Sequence, residues 1–167
     1  MHIIKLNATD STNTFLKQLS NEEALEDYTI VMSDFQHQGR GQMGTVWQSN
    51  IGEGLMFSVF KGVSFLKFDE HFYISMVTAL AIIKTLEKYK IPKLSIKWPN
   101  DILSENKKVC GVLIENSIKG SNLFSSIIGV GLNLNQERFL SNAPNPVSLK
   151  QLTGKIYSVD GVASEIF

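Results

Sequence analysis

The sequence predicts an α+β domain, a mixed, largely antiparallel sheet with helices packed on it. Three observations predict it. Short β-branched and aromatic runs recur along the chain. The later runs are joined by short polar connections, which favour antiparallel neighbours. One long helical pattern, over 69–89, supplies a layer to cover the sheet. At 167 residues and 43% hydrophobic, the chain has the length of one domain and the composition of one with a core.

Each element has its own warrant. Residues 2–6 form a β-prone opening. Asp10-Ser11-Thr12-Asn13 is a run of N-capping types, and Phe15, Leu16 and Leu19 follow at helical spacing, so a short helix starts here. A strand is predicted over 28–32. From 33 to 50 the pattern breaks into polar residues with Gly39, Gly41 and Gly44, and a strand over 55–60 follows. In the long helix, Phe72, Met76, Leu80 and Ile83 mark the apolar face, while Lys84, Glu87 and Lys88 lie toward the other; Pro92 stops it. Strands are predicted over 94–98, 109–115 and 123–130, with polar turns at 104–107 and 117–122.

Charge and cysteine content argue against several classes. Lys+Arg and Asp+Glu are both 16, so the basic excess of a nucleic-acid binder is missing. The single cysteine, Cys110, rules out an internal disulfide and points to a reducing compartment; it reads as a small buried hydrophobe. The opening is too short and too soon polar for a secretory signal. The apolar stretch 76–83 falls far short of the roughly 20 residues of a membrane helix. A cytoplasmic protein with no membrane and no nucleic-acid partner is expected. His2, His37 and His71 have no metal-ligand spacing and read as surface residues.

Four segments carry candidate chemistry. Gln36-His37-Gln38-Gly39-Arg40-Gly41-Gln42-Met43-Gly44, with Trp47 beyond, combines glycines that allow close backbone approach, a fork-shaped cation and an aromatic plane. Its glycine spacing fits neither a Walker A loop nor a dinucleotide fingerprint; a surface loop with a chance arginine is the alternative. Lys97-Trp98-Pro99-Asn100-Asp101 groups a cation, an amide and a carboxylate where a strand exits, or else is only a solvated strand end. Gly111 within the apolar run after Lys107 and Lys108 marks a close approach or a β-bulge. Gly129-Val130-Gly131-Leu132-Asn133 puts glycines and an amide at a strand end, where ordinary strand termination also uses glycine.

Taken together, these segments stand in the order and approximate spacing of one family. From about Asp10 to Asn135 the chain resembles the biotin–protein ligases, above all in Lys97-Trp98-Pro99-Asn100-Asp101 together with the Gly-Arg-Gly loop. The resemblance implies a fold similar to the biotin ligase and class II aminoacyl-tRNA synthetase-like catalytic domain, spanning 1–167. It implies the non-repressor type: the N-terminal DNA-binding domain is expected to be absent, and the usual C-terminal small β-barrel absent or truncated.

The implied activity is a ligase reaction: ATP-dependent activation of biotin to biotinyl-5′-AMP, then transfer of biotin to a lysine of an acceptor carrier protein, a carboxylase or decarboxylase subunit. ATP and biotin are substrates and Mg²⁺ accompanies ATP, with no protein metal site. Ser11, Thr12, Asn13 and Gln36 take the ureido ring of biotin. Gly39, Arg40, Gly41 and Gln42 form the loop over its tail and the adenylate, and Gly111 also belongs to the biotin site. Trp47 matches the aromatic beside adenine. Asn100, Asp101, Lys108 and Asn133, with Arg40 and Gln42, match nucleotide contacts, and Lys97 and Arg40 are the catalytic cations. One departure is Gln42, where the family usually has a second arginine. A lipoate or octanoyl transferase and a non-catalytic biotin- or adenylate-binding module are the rival readings, and a homodimer stands beside a monomer as an open alternative.

Overall fold

A computed structural model of the protein describes residues 1–48, 50–139 and 144–167. The strands β1 (His2–Leu6), β2 (Thr29–Ser33), β3 (Gly54–Gly62), β4 (Leu94–Lys97), β5 (Asp101–Ser104), β6 (Lys107–Lys119) and β7 (Asn122–Asn133) form one sheet in the order β1-β2-β3-β7-β6-β5-β4. The β1–β2 pair is parallel and the other neighbours are antiparallel, as the short connections required. Tight turns make the later hairpins possible. Glu105 and Asn106, both at positive φ, form the two-residue link between β5 and β6.

Period-two alternation divides the central strands between two tasks. Leu55 and Phe57 of β3, Val130 and Leu132 of β7, and Cys110 and Val112 of β6 share one face and build the main core. The helices α2 (Phe72–Lys88) and α4 (Val159–Ile166) pack there, and α3 (Leu149–Thr153) contributes Leu149. Cys110 is fully buried in that core, as expected, and burial pushes its thiol up to about 12, so it stays protonated. The alternate residues face the other way, where α1 (Thr12–Glu22) lies across β2, β3 and β7 with Leu16 against Val31 and Ile127.

Helix α2 corrects the sequence expectation. The residues that reach the interior are Ile74, Ala79, Ile82, Thr85 and Leu86, whereas Phe72, Met76 and Leu80 are exposed, and only Ile83 of the expected face packs on the core. The helix is apolar nearly all round, so spacing could not choose its buried side. It also ends before Pro92. Lys90 turns left-handed at φ 57, its N–H donates to the Glu87 carbonyl, and the Ile91 N–H donates to the Leu86 carbonyl. That is the paired bonding of a Schellman stop, with Ile91 and Leu86 both buried beneath it. No helix of the described residues is long and apolar enough to cross a membrane.

The orientation of α2 is testable by truncation. Leu86→Ala should lower the unfolding free energy by about 2–5 kcal/mol, while Leu80→Ala, 49% exposed, should stay within about 0.5 kcal/mol of the parent. Urea unfolding reads both, and comparable losses would mean the helix presents its other face to the core.

Candidate functional site

On the α1 side of the sheet, a cleft of about 760 Å³ opens over β6 and β7, within the size range of small-molecule sites. Its floor is bare backbone. Gly111 of β6 and Gly131 of β7 are direct partners across the ladder, and the Trp47 indole lies on both. A Cβ at Gly131 would come 2.3 Å from the ring, and one at Gly111 would come 2.8 Å from it. Gly129 serves the next side chain along: a Cβ there would stand 2.2 Å from the Asn13 Oδ1. Gly39, behind the cleft, could carry no Cβ without striking the Trp47 carbonyl oxygen at 2.1 Å.

One end of the cleft is a buried, neutral hydrogen-bonding wall. Ser11, Thr12, Asn13 and Gln36 are all at least nine-tenths buried. The Gln36 Oε1 accepts from the Thr12 backbone N–H at 2.8 Å and from its hydroxyl at 3.2 Å. The Asn13 amide donates to the Leu113 carbonyl at 3.2 Å and to Glu115 at 2.9 Å, and its Oδ1 accepts from the Ser58 hydroxyl at 2.6 Å. Asn13 is thus largely committed to the protein. The Ser11 hydroxyl, at the α1 N-cap, makes no capping bond.

The other end carries charge. Lys108 reaches Asp101 at 2.7 Å with both side chains mostly buried, and its Nζ stands 5.6 Å from the centre of the Trp47 ring. Asn100 is fixed by its backbone carbonyl, which accepts from the Val112 N–H, and by its side-chain amide, which donates to the Val112 carbonyl. Asn133 donates to the Lys108 and Val147 carbonyls. This ties β7 to the 144–147 segment, which runs beside Lys108. Pro144, Pro146 and Phe139 make the apolar wall there.

The segment read as irregular, 33–50, contains a small hairpin. The Trp47 N–H donates to the Gly39 carbonyl, Arg40 bridges Val46, and the Gly41 N–H donates to Thr45. Gln42–Gly44 makes a short 3₁₀ turn at the tip, with Met43 at φ 54 and exposed. Arg40 extends from this hairpin to Glu115, at 3.1 and 3.2 Å through its two terminal nitrogens. Burial pulls the Glu115 carboxyl upward, but the Asn13 and Arg40 hydrogen bonds and the charges of Arg40 and Lys17 outweigh it and hold it below the usual range.

Of the residues singled out from the sequence, Ser11, Thr12, Asn13, Gln36, Arg40, Gly41, Gln42, Trp47, Asn100, Asp101, Lys108, Gly111 and Asn133 line this one cleft. Gly39 stands behind it as a packing glycine. Lys97 is not among the lining residues. It lies on the edge strand β4 opposite Asp101, exposed, in the row Gly131, Gly111, Asp101, Lys97 that crosses the sheet. Two strand spacings, about 10 Å, separate its backbone from Gly111, and Lys108 is the lysine that lines the cleft. Glu115, Ser58, Phe139, Pro144 and Pro146 were not anticipated. Gly129 had been noted only as part of a strand end. No cluster of three His, Cys, Asp or Glu able to hold a metal occurs among the described residues.

A seven-stranded mixed sheet whose glycine-floored cleft has a neutral polar end and a charged end defines an α+β domain with one small-molecule-sized site. Its family follows from comparison. The sequence model of the biotin/lipoate A/B protein ligase family matches residues 6–133, and the chain belongs to that family. It is 32% identical to the bifunctional ligase/repressor BirA of Bacillus spizizenii, over 99% of this chain and 51% of that protein. It is 33% identical to a biotin–[acetyl-CoA-carboxylase] ligase of Paracoccus denitrificans, over 75% of this chain and 52% of that one. Among solved structures, the biotin protein ligase from Aquifex aeolicus in complex with biotin and ATP matches with a TM-score of 0.81 at 31% identity, over 99% of this chain and 66% of that chain. The chain spans about half the length of the curated relatives it matches.

The glycine floor gives a direct test. In a Trp98→Phe background, Trp47 is the sole tryptophan. Adding Gly131→Ala should lift the ring, shifting its emission to longer wavelength and raising quenching by acrylamide, with the circular dichroism spectrum unchanged. Unaltered emission would show that the indole does not rest on β7.

Proposed function

We propose that the chain activates biotin with ATP and transfers the biotinyl group to a lysine of an acceptor protein. The carrying observation is one cleft in which a buried neutral wall and the Lys108 cation lie at opposite ends of an aromatic- and glycine-lined floor, with Arg40 reaching in on the side of the wall. Biotin has matching parts: a neutral ureido ring with N–H donors and one carbonyl, and a carboxylate at the end of an apolar tail. The Aquifex aeolicus protein, which binds biotin and ATP, supports this reading.

In the first step a biotin carboxylate oxygen attacks the α-phosphorus, the bond to the bridging oxygen breaks and pyrophosphate leaves, giving biotinyl-5′-AMP. Two anions must approach, so cations at the junction stabilise the transition state more than the separated reactants. We assign that work to Lys108 and Arg40, with Lys97 at the rim. Ser11, Thr12, Asn13 and Gln36 receive the ring, and Gly111 lies under the tail. Gly39, Gly41 and Gln42 belong to the hairpin over the adenylate. Trp47 provides the plane for adenine, and Asn100, Asp101 and Asn133 line the nucleotide end.

Mg²⁺ enters with ATP. Asp101 is the sole carboxylate among the described residues lining the cleft and is already paired with Lys108, so this chain would offer the ion at most that one carboxylate, and the ion would offset the charge of the leaving pyrophosphate. In the second step the acceptor's neutral amine attacks the anhydride carbonyl, AMP departs and the amine loses its proton. The acceptor class is a carrier domain of a carboxylase or decarboxylase, in keeping with the Paracoccus denitrificans relative's name. The proposed setting is the cytoplasm, without nucleic acid.

Incubation of the protein with ATP and biotin should release pyrophosphate and form biotinyl-5′-AMP, and lipoate in place of biotin should not. Equal turnover of lipoate would overturn the choice of substrate. Lys108→Ala should slow single-turnover pyrophosphate release by about a hundred- to a thousandfold, the loss typical of one preorganised donor. Lys97→Ala should cost less, and the reverse ranking would return the central role to Lys97. Gln42→Arg should lengthen the lifetime of the bound adenylate, read by filter retention of labelled intermediate, because it adds a cation to the covering hairpin.

A further inference from the structure

Arg40 is half-exposed on a glycine-flanked hairpin, and a long side chain in that setting samples many rotamers unless something holds it. Glu115 holds it. This residue stands on β6 in the middle of the sheet, its side chain only 19% exposed. One carboxylate oxygen accepts from both Asn13 and Arg40, and the other accepts from the second Arg40 nitrogen. Lys17 of α1 adds a further positive charge at 3.9 Å. Asn13 is in turn fixed by the Leu113 carbonyl and by the fully buried Ser58. A continuous line of hydrogen bonds therefore runs from the interior, Ser58–Asn13–Glu115–Arg40, out to the loop cation.

The geometry leaves the guanidinium usable. Its bonds to Glu115 and the long contact to Thr14 at 3.4 Å engage only the terminal nitrogens. The Nε–H donates to no described partner, and a guanidinium has five N–H donors in all. We propose that Glu115 is the positioning residue for Arg40, fixing the loop cation at the cleft so that an anionic group of a ligand meets a charge already in place. The identity of that anion as the biotin carboxylate rests on the function proposed above.

Two measurements on the full chain separate this role from a merely structural one. In the ligand-free protein, Glu115→Gln, which keeps the shape and can still accept from Asn13, should speed amide hydrogen exchange over 39–47. The rest of the sheet should keep its protection, and Glu115→Asp should fall between the two. In binding, Glu115→Gln should weaken biotin by about fivefold, the scale of a partly exposed ion pair. The alcohol analogue of biotin, which has no carboxylate, should bind Glu115→Gln as it binds the parent. The loss should disappear in an Arg40→Ala background. Equal weakening of both ligands, a loss additive with Arg40→Ala, or no change in exchange over 39–47 would overturn the proposal. If the parent bound neither ligand, the biotin reading would fall, while the exchange data would still decide whether Glu115 anchors the hairpin.

Discussion

Everything in the cleft depends on three missing side chains. Gly111, Gly131 and Gly129 leave a strip of bare backbone on β6 and β7, and the Trp47 ring and the Asn13 amide lie directly on it. Glycine within a strand costs roughly 0.5–1 kcal/mol against alanine, and three so close together would weaken an isolated ladder. They are tolerated because the intervening residues on the same strands, Cys110, Val112, Val130 and Leu132, are buried in the main core on the opposite face. The sheet's period of two lets one pair of strands anchor the domain and floor the site. Shifting the register by one residue would exchange these roles and lose both.

The charges show a second economy. Each cation beside the neutral wall or the floor has its own carboxylate, Lys108 with Asp101 and Arg40 with Glu115, in a chain whose formal net charge is zero. An unpaired cation in a half-buried cleft would bear a desolvation cost with nothing to offset it. Pairing stabilises the empty site and fixes the position of each charge. Each cation still has donors that its carboxylate leaves over. Such an arrangement gives up some affinity and gains placement, which the proposed reaction between two anions would need most.

Local signals carried much of this and failed at identifiable points. The strands, the α1 start and the glycine-rich segments were legible because β-branched runs, capping residues and glycines mark them residue by residue. The buried side of α2 was not, since the sequence there is apolar in almost every direction. Strand β5 is four residues long and hides beside the turn that precedes it. Helix α3 did leave a mark that could have found it: Ser148 and Gln151 exchange side-chain and backbone hydrogen bonds, and Gly154 closes the helix in the left-handed region. Lys97 and Lys108 could not be ranked by sequence, because each stands in a motif of its own. Only the register across β4, β5 and β6 puts one at the edge and the other over the floor. Glu115 and Phe139 carry no local signal at all, and their part emerges from contacts with residues far away in the chain.

The position of Trp47 ties these strands of argument together. An apolar glycine floor open to water would be hydrated, and a ligand would have to clear that water before settling. With the indole already lying on Gly111 and Gly131, the floor is covered, and its hydrogen bond from the Trp47 N–H to Gly39 links the ring's position to the hairpin that carries Arg40. A flat ligand group that slides against the ring therefore exchanges one dispersion contact for another, at little cost in desolvation. The same hairpin carries the guanidinium held by Glu115. The floor, the aromatic plane and the cation are thus joined by direct contacts, although the parts of the site come from α1, the hairpin, β6 and β7.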